Sequence, residues 1–187
     1  MENFNWEELR EQLPTQWTPE SKAARMKLWK SMDVNGNRIM SLAEIDKGIR
    51  DNIKIDELFD AKPVIMRAFS AAKVKGKGKN IGETKCNDDY VEWCEFRYLL
   101  VYLRQYAEYF VMFNRVNEGT DKKIDIEEFK TAVPMMEEWG VAIGDPEATF
   151  AEIDTNGGGS IMFQEFSDWA IAKQLDLQDD DDDGDLE

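Results

Sequence analysis

Histidine is absent from this 187-residue chain, and cysteine occurs only as Cys86 and Cys94. The first absence removes the commonest general base, the commonest zinc ligand and any Ser-His or Cys-His nucleophilic pair. The second, without any CxxC spacing, speaks against a zinc site or a disulfide scaffold and fits a reducing, intracellular setting. Basic residues are scarce as well: 23 Lys and Arg face 39 Asp and Glu, for a formal charge of −16. Nucleic-acid binding needs a basic footprint, so no nucleic acid is expected, and cations or basic partners suit the chain better. Long apolar runs are missing. The best of them, such as YLLVYL at 98–103, falls far short of the ~20 residues that span a bilayer. The opening MENFNWEEL shows neither the basic and apolar regions of a secretory signal nor the Gly after Met that N-myristoylation uses. With no phosphate loop and no paired acid and base, an enzyme is not expected.

What is present is 42% apolar and 11% aromatic content, enough for one or two buried cores. Near the C-terminus stands DTNGGGSIMFQE, Asp154 to Glu165. An Asp first, a Glu last and Gly at the sixth position of twelve are the requirements of an EF-hand loop, which wraps a hard cation in oxygens at about 2.3–2.6 Å. Asp154 and Asn156 take the first and third positions, and Ser160 offers its carbonyl at the seventh. Glu165 can give both carboxylate oxygens. Gly158 at the fifth position and Met162 at the ninth lack a side-chain oxygen, so water is expected to serve there.

The loop's flanks recur. Trp29, Met32, Met40 and Ile45 surround DVNGNRIMSLAE at 33–44, and Phe113, Val116, Ile124 and Phe129 surround NEGTDKKIDIEE at 117–128. A further unit, with Phe69 and Ala72 before it and Val91, Glu95 and Phe96 after it, is broken by a Lys/Gly-rich insertion. Periodicity around the loops is helical. Thr18-Pro19 and Asp145-Pro146 mark helix starts, and Ser41…Glu44 and Asp125…Glu128 are spaced as capping boxes. The apolar eighth positions can pair as short bridges, joining unit one with two and three with four. Residues 91–116 contain no breaker and are expected to be one long helix or two with a slight bend. The expected fold is all-α: four EF-hand units paired into two lobes, with an added N-terminal helix. The N-terminal lobe covers 1–95, the C-terminal lobe 96–175, and an acidic, disordered tail 176–187.

VEWCEFRYLL, AVPMMEEWGV and IDTNGGGSIMFQEFSDWA, in this four-unit order with a degenerate second loop, resemble the calflagins, the flagellar calcium-binding proteins of trypanosomatids. The likeness runs from about Trp17 to Leu175. It implies Ca²⁺ binding, a place in the flagellum or cytoplasm, and contact with the flagellar membrane, although no acyl-anchor signal is seen here.

One or two Ca²⁺ ions are expected, with the best site in the fourth loop. The first loop offers Asp33, Asn35, Asn37, Ser41 and Glu44, plus the Ile39 carbonyl. Against it stands Arg38 at the sixth position, where a left-handed backbone in a non-Gly residue costs on the order of 1 kcal/mol and a cation lies close to the ion. The third loop keeps Asp121, Asp125 and Glu128 but carries Gly119 at its third position and Lys122 at its sixth, so it is expected to bind poorly. The second, with Lys73 at its first position, is not expected to bind. The functional expectation is a Ca²⁺ sensor that exposes Met135, Met136, Trp139 and Trp169 to an unidentified protein partner. The alternative is a structural or interaction protein of a flagellar assembly that has largely lost Ca²⁺ binding.

Overall fold

The computed structural model describes residues 4–76, 89–117, 119 and 121–175. Residues 77–88 of the Lys/Gly-rich insertion and the tail from 176 onward lie outside the described residues, as does Cys86. The described chain is mostly helical. In order it runs α1 (Trp6–Gln12), α2 (Pro19–Met32), β1 (Ile39–Met40), α3 (Leu42–Gly48), a π-helical turn (Ile49–Ile53), α4 (Asp56–Asp60), α5 (Lys62–Gly76), β2 (Val91–Glu92), α6 (Trp93–Val116), β3 (Lys123–Ile124), α7 (Ile126–Glu138), α8 (Pro146–Ile153), β4 (Ile161–Met162) and α9 (Phe163–Lys173).

The starts of these helices follow from local chemistry. The Thr18 side chain accepts the Ser21 N–H ahead of Pro19, and the Asp145 side chain accepts from Glu147 and Ala148 ahead of Pro146. Each satisfies N–H groups that the first turn leaves without partners. Ser41 with Glu44, and Asp125 with Glu128, close reciprocal capping boxes at α3 and α7. The strands are two residues long and pair antiparallel, Met40 opposite Val91 and Ile124 opposite Ile161. These apolar side chains are buried, which sets the register. Residues 93–116 form one continuous helix.

The described chain packs as two compact units, 4–107 and 108–175. This boundary and the one expected between residues 95 and 96 both fall inside α6. In the first unit Trp29 meets Trp93 and Phe96 edge-on, with ring centroids 5.6 and 5.1 Å apart. Phe96, Leu9, Leu13, Ile45, Ile49 and Leu58 are fully buried in this unit, each worth about 1.5–3 kcal/mol by its removal from water. The segment after α1 is fastened by guanidinium groups. Arg25 donates to the Pro14 and Gln16 carbonyls, Arg97 to the Thr15 carbonyl and Arg104 to the Thr15 hydroxyl. Burial, and then the nearby charge of Arg97, press the Arg25 pKa below its ordinary value. At the end of α3 the Met32 side chain lies directly against the backbone of the buried Gly48, where a Cβ would stand 2.7 Å from Met32 Cγ.

In the second unit Phe163 meets Phe110 and Phe113 edge-on, and Phe129 meets Phe150 with centroids 5.7 Å apart. Lys130 on α7 donates to Glu147 on α8 at 2.8 Å, and that contact raises the lysine pKa. Met136, Trp139 and Trp169 are buried here, and Met135 is half-buried. The apolar set expected to face a partner is therefore core in this conformation.

Candidate metal centre

Each twelve-residue loop leaves one helix and enters the next through its strand, and its final Glu turns back onto the loop's own backbone. Glu44 Oε2 accepts the Ser41 N–H at 2.9 Å, Glu128 Oε2 accepts the Asp125 N–H at 2.9 Å, and Glu165 Oε2 accepts the Met162 N–H at 3.0 Å. One carboxylate oxygen is thereby spent on the helix start. The other faces the loop.

In the first loop that second oxygen, Glu44 Oε1, accepts from Asn35 Nδ2 at 2.7 Å. Asp33 Oδ2 accepts the Arg38 N–H at 3.0 Å, Asn35 Oδ1 the Asn37 N–H at 2.8 Å, and Asn37 Oδ1 the Ile39 N–H at 3.1 Å. The Ser41 hydroxyl lies 2.9 Å from Glu44 Oε2. Asp33, Asn35, Asn37, Ser41 and Glu44 are thus brought together, with Ile39 following directly in β1. Asp33 Oδ1 is buried without a hydrogen-bond partner. A carboxylate oxygen buried without a partner costs free energy unless something positive meets it, so the donor set fits a hard cation. The backbone also takes the required turn, with Arg38 at φ 65°.

The fourth loop repeats the network with different chemistry at its turn. Asp154 accepts from the Gly158 and Gly159 N–H groups at 3.0 and 2.8 Å, and Glu165 Oε1 accepts from Asn156 Nδ2 at 2.6 Å and the Thr155 hydroxyl at 3.1 Å. Gly159 has φ 75°, which glycine adopts without strain. Gly158 is explained by space. A Cβ there would stand 2.5 Å from Asn156 Oδ1, so that amide oxygen leans over the fifth position where water alone was expected. Ser160 sits half-buried just before β4, and Met162 is exposed.

The third loop is better assembled than its sequence promised. Around Gly119 three oxygens converge: a Cβ there would meet Asn117 Oδ1 and Asp121 Oδ1 at 3.4 Å and Glu128 Oε1 at 3.6 Å. Asn117 Oδ1 is itself buried without a hydrogen-bond partner. Gly119 leaves room between these oxygens, so its lack of a ligand atom is also an opening. The signal available in the sequence was Asn117 following the apolar Val116 at the end of a helix. Lys122 holds the turn at φ 61°. Among the described residues no three acidic or cysteine side chains converge tightly enough to hold an ion by themselves, so amide, carbonyl or water oxygens must complete any shell here.

Helices joined by twelve-residue loops, each closed by a Glu on its own backbone, with short ladders between loops, define an EF-hand protein. Residues 9–103 match the family model described as the FCaBP EF-hand domain. The chain is 39% identical over 180 residues to flagellar calcium-binding protein TB-1.7G of Trypanosoma brucei brucei, covering 95% of this chain and 77% of that protein. It is 37% identical over 178 residues to a flagellar calcium-binding protein of Trypanosoma cruzi, covering 95% and 83%. It is 40% identical over 172 residues to TB-24 of Trypanosoma brucei brucei, covering 91% and 77%. The chain belongs to the flagellar calcium-binding protein family.

Proposed function

We propose that this protein is a Ca²⁺-binding protein of the flagellum, built of four EF-hand units paired into two lobes, that signals the ion to a protein partner. The observation that carries the reading is the orphaned, buried first-position oxygen of the first loop, Asp33 Oδ1, in a loop whose final Glu44 carboxylate is held by its own backbone. The relatives named flagellar calcium-binding proteins support both the ion and the location.

In the first loop Asp33, Asn35, Asn37, the Ile39 carbonyl, Ser41 and Glu44 would hold the ion. In the fourth, Asp154, Asn156, the Ser160 carbonyl and Glu165 would do so, with Gly158 admitting either water or the Asn156 amide oxygen. Bound Ca²⁺ supplies a divalent charge that the acids and neutral oxygens neutralise. To admit it, Asn35 and Asn156 must turn their amide NH₂ groups away from Glu44 and Glu165. The fourth loop is the best site because its turn glycine carries neither strain nor charge. Sensing requires that the ion favour a conformation in which Met136, Trp139 and Trp169 are less buried than here.

The competing reading is a scaffold that has lost most ion binding. The cationic Arg38 and Lys122 at two sixth positions favour it. Calorimetric titration with Ca²⁺, followed by tryptophan emission, separates the two. Binding of one or two ions with a spectral change is expected, and no heat at millimolar Ca²⁺ would overturn the sensor.

A further inference from the structure

The broken second unit is not an empty relic. Its terminal Glu95 holds the same posture as its three counterparts: Glu95 Oε2 accepts the Glu92 N–H at 2.9 Å, as Glu44, Glu128 and Glu165 accept from the residue three before them. What differs is the partner of the carboxylate. In the first and fourth loops a neutral Asn amide reaches the second oxygen. Here the Lys73 ammonium straddles both, at 2.9 Å from Oε1 and 2.8 Å from Oε2. Glu95 is fully buried and Lys73 is 5% exposed. The ladder that joins this unit to the first is complete, with Val91 opposite Met40.

We propose that Lys73 is the resident cation of the second EF-hand unit, a tethered ammonium standing where its sister loops would take a divalent ion. A carboxylate buried this deeply must meet a positive charge, or ionisation becomes costly. Lys73 reaches it from α5, the helix that enters the loop, so the charge arrives with the chain itself. Two consequences follow. Pairing of the first two loops does not wait for Ca²⁺, so the β1–β2 ladder persists in chelator. Any ion at the first loop binds singly, because the neighbouring unit has no vacancy to fill cooperatively.

The comparison with the sister loops rests on reading them as divalent-cation sites, but the first arm of the test does not. In excess chelator, with the full chain, Lys73→Met should lower the thermal midpoint of the first unit by about 10 °C and speed amide exchange at Val91 at least tenfold. Lys73→Met/Glu95→Gln should recover most of both, since the carboxylate that needs a cation is then gone. It also provides a folded reference should the single variant fail. In the second arm, millimolar Ca²⁺ should slow Val91 exchange more in Lys73→Met than in the unsubstituted protein, because only the variant has a carboxylate in need of a charge. The proposal is overturned if Lys73→Met melts and exchanges as the unsubstituted protein does, if the double variant is no better than the single, or if Ca²⁺ acts equally on both. Loss of Ca²⁺ heat at the other loops, with the chelator arm as expected, would sink the sensor and leave Lys73 in place.

Discussion

The two compact units answer the same demand differently. In residues 4–107 one loop terminates in Glu44, whose free oxygen is met by the Asn35 amide, and the other terminates in Glu95 already met by Lys73. In residues 108–175 both loops keep twelve residues, and their terminal carboxylates accept from neutral groups: Glu128 from the Gly119 N–H and Glu165 from the Asn156 amide. A negative cradle can be satisfied by a tethered charge, by a neutral amide or by a free ion. Only the last two leave the protein responsive to its surroundings. The first unit, with one of its two cradles sealed, is therefore expected to be the less responsive half of the molecule and the second the more responsive.

Three experiments break or sharpen that contrast. The largest effect belongs to Glu165→Gln, which removes charge from the loop with acid at both ends and glycine at the turn. Most of the calorimetric Ca²⁺ heat should vanish, and an unchanged titration would return the responsive role to the first unit. Next comes Arg38→Gly. It relieves a left-handed non-glycine residue at φ 65° and withdraws a cation from beside the ion, so affinity at the first loop should rise at least about fivefold, the equivalent of about 1 kcal/mol. Amide shifts of residues 33–44 during titration would report it, and no gain would mean that the helices on either side hold the loop away from the ion. The smallest is a matched pair of cap removals, Thr18→Ala on α2 and Asp145→Ala on α8. Each should cost about 1 kcal/mol in denaturant unfolding, with Asp145 the more costly because it caps two N–H groups rather than one. A reversed order would show that the second unit tolerates a frayed entering helix.

Much of this was legible in the sequence because the signals are local. The capping boxes at Ser41 and Asp125 and the proline starts at 19 and 146 each depend on residues a few positions apart, the 93–116 helix on an unbroken run, and the ladders on an apolar eighth position that recurs from loop to loop. What could not be read depends on distance or shape. Lys73 and Glu95 meet across an insertion, 22 residues apart in sequence, so no motif spacing announces them. The burial of Asn117 Oδ1, and the way Asn156 closes over Gly158, are matters of packing. The same holds for the partner-facing set: Met136, Trp139 and Trp169 fit an exposed groove and a core equally well by composition, and here they are core. The π-helical turn at Ile49–Ile53 follows Gly48 and ends with Lys54 at φ 61°, and nothing in its own residues distinguishes it from a further turn of α-helix.

Gly48 separates two reasons for a glycine that sequence comparison alone would merge. Its backbone is ordinary helix at φ −63°, so chirality places no restriction there; the restriction is the Met32 side chain against its α-carbon. Gly159, at φ 75° in open space, is restricted the other way round. Exhaustive substitution should therefore yield two opposite tolerance profiles. Position 48 should rank replacements by volume, with alanine the least harmful and rescue available from a smaller residue at 32. Position 159 should be nearly blind to volume and should accept asparagine ahead of alanine.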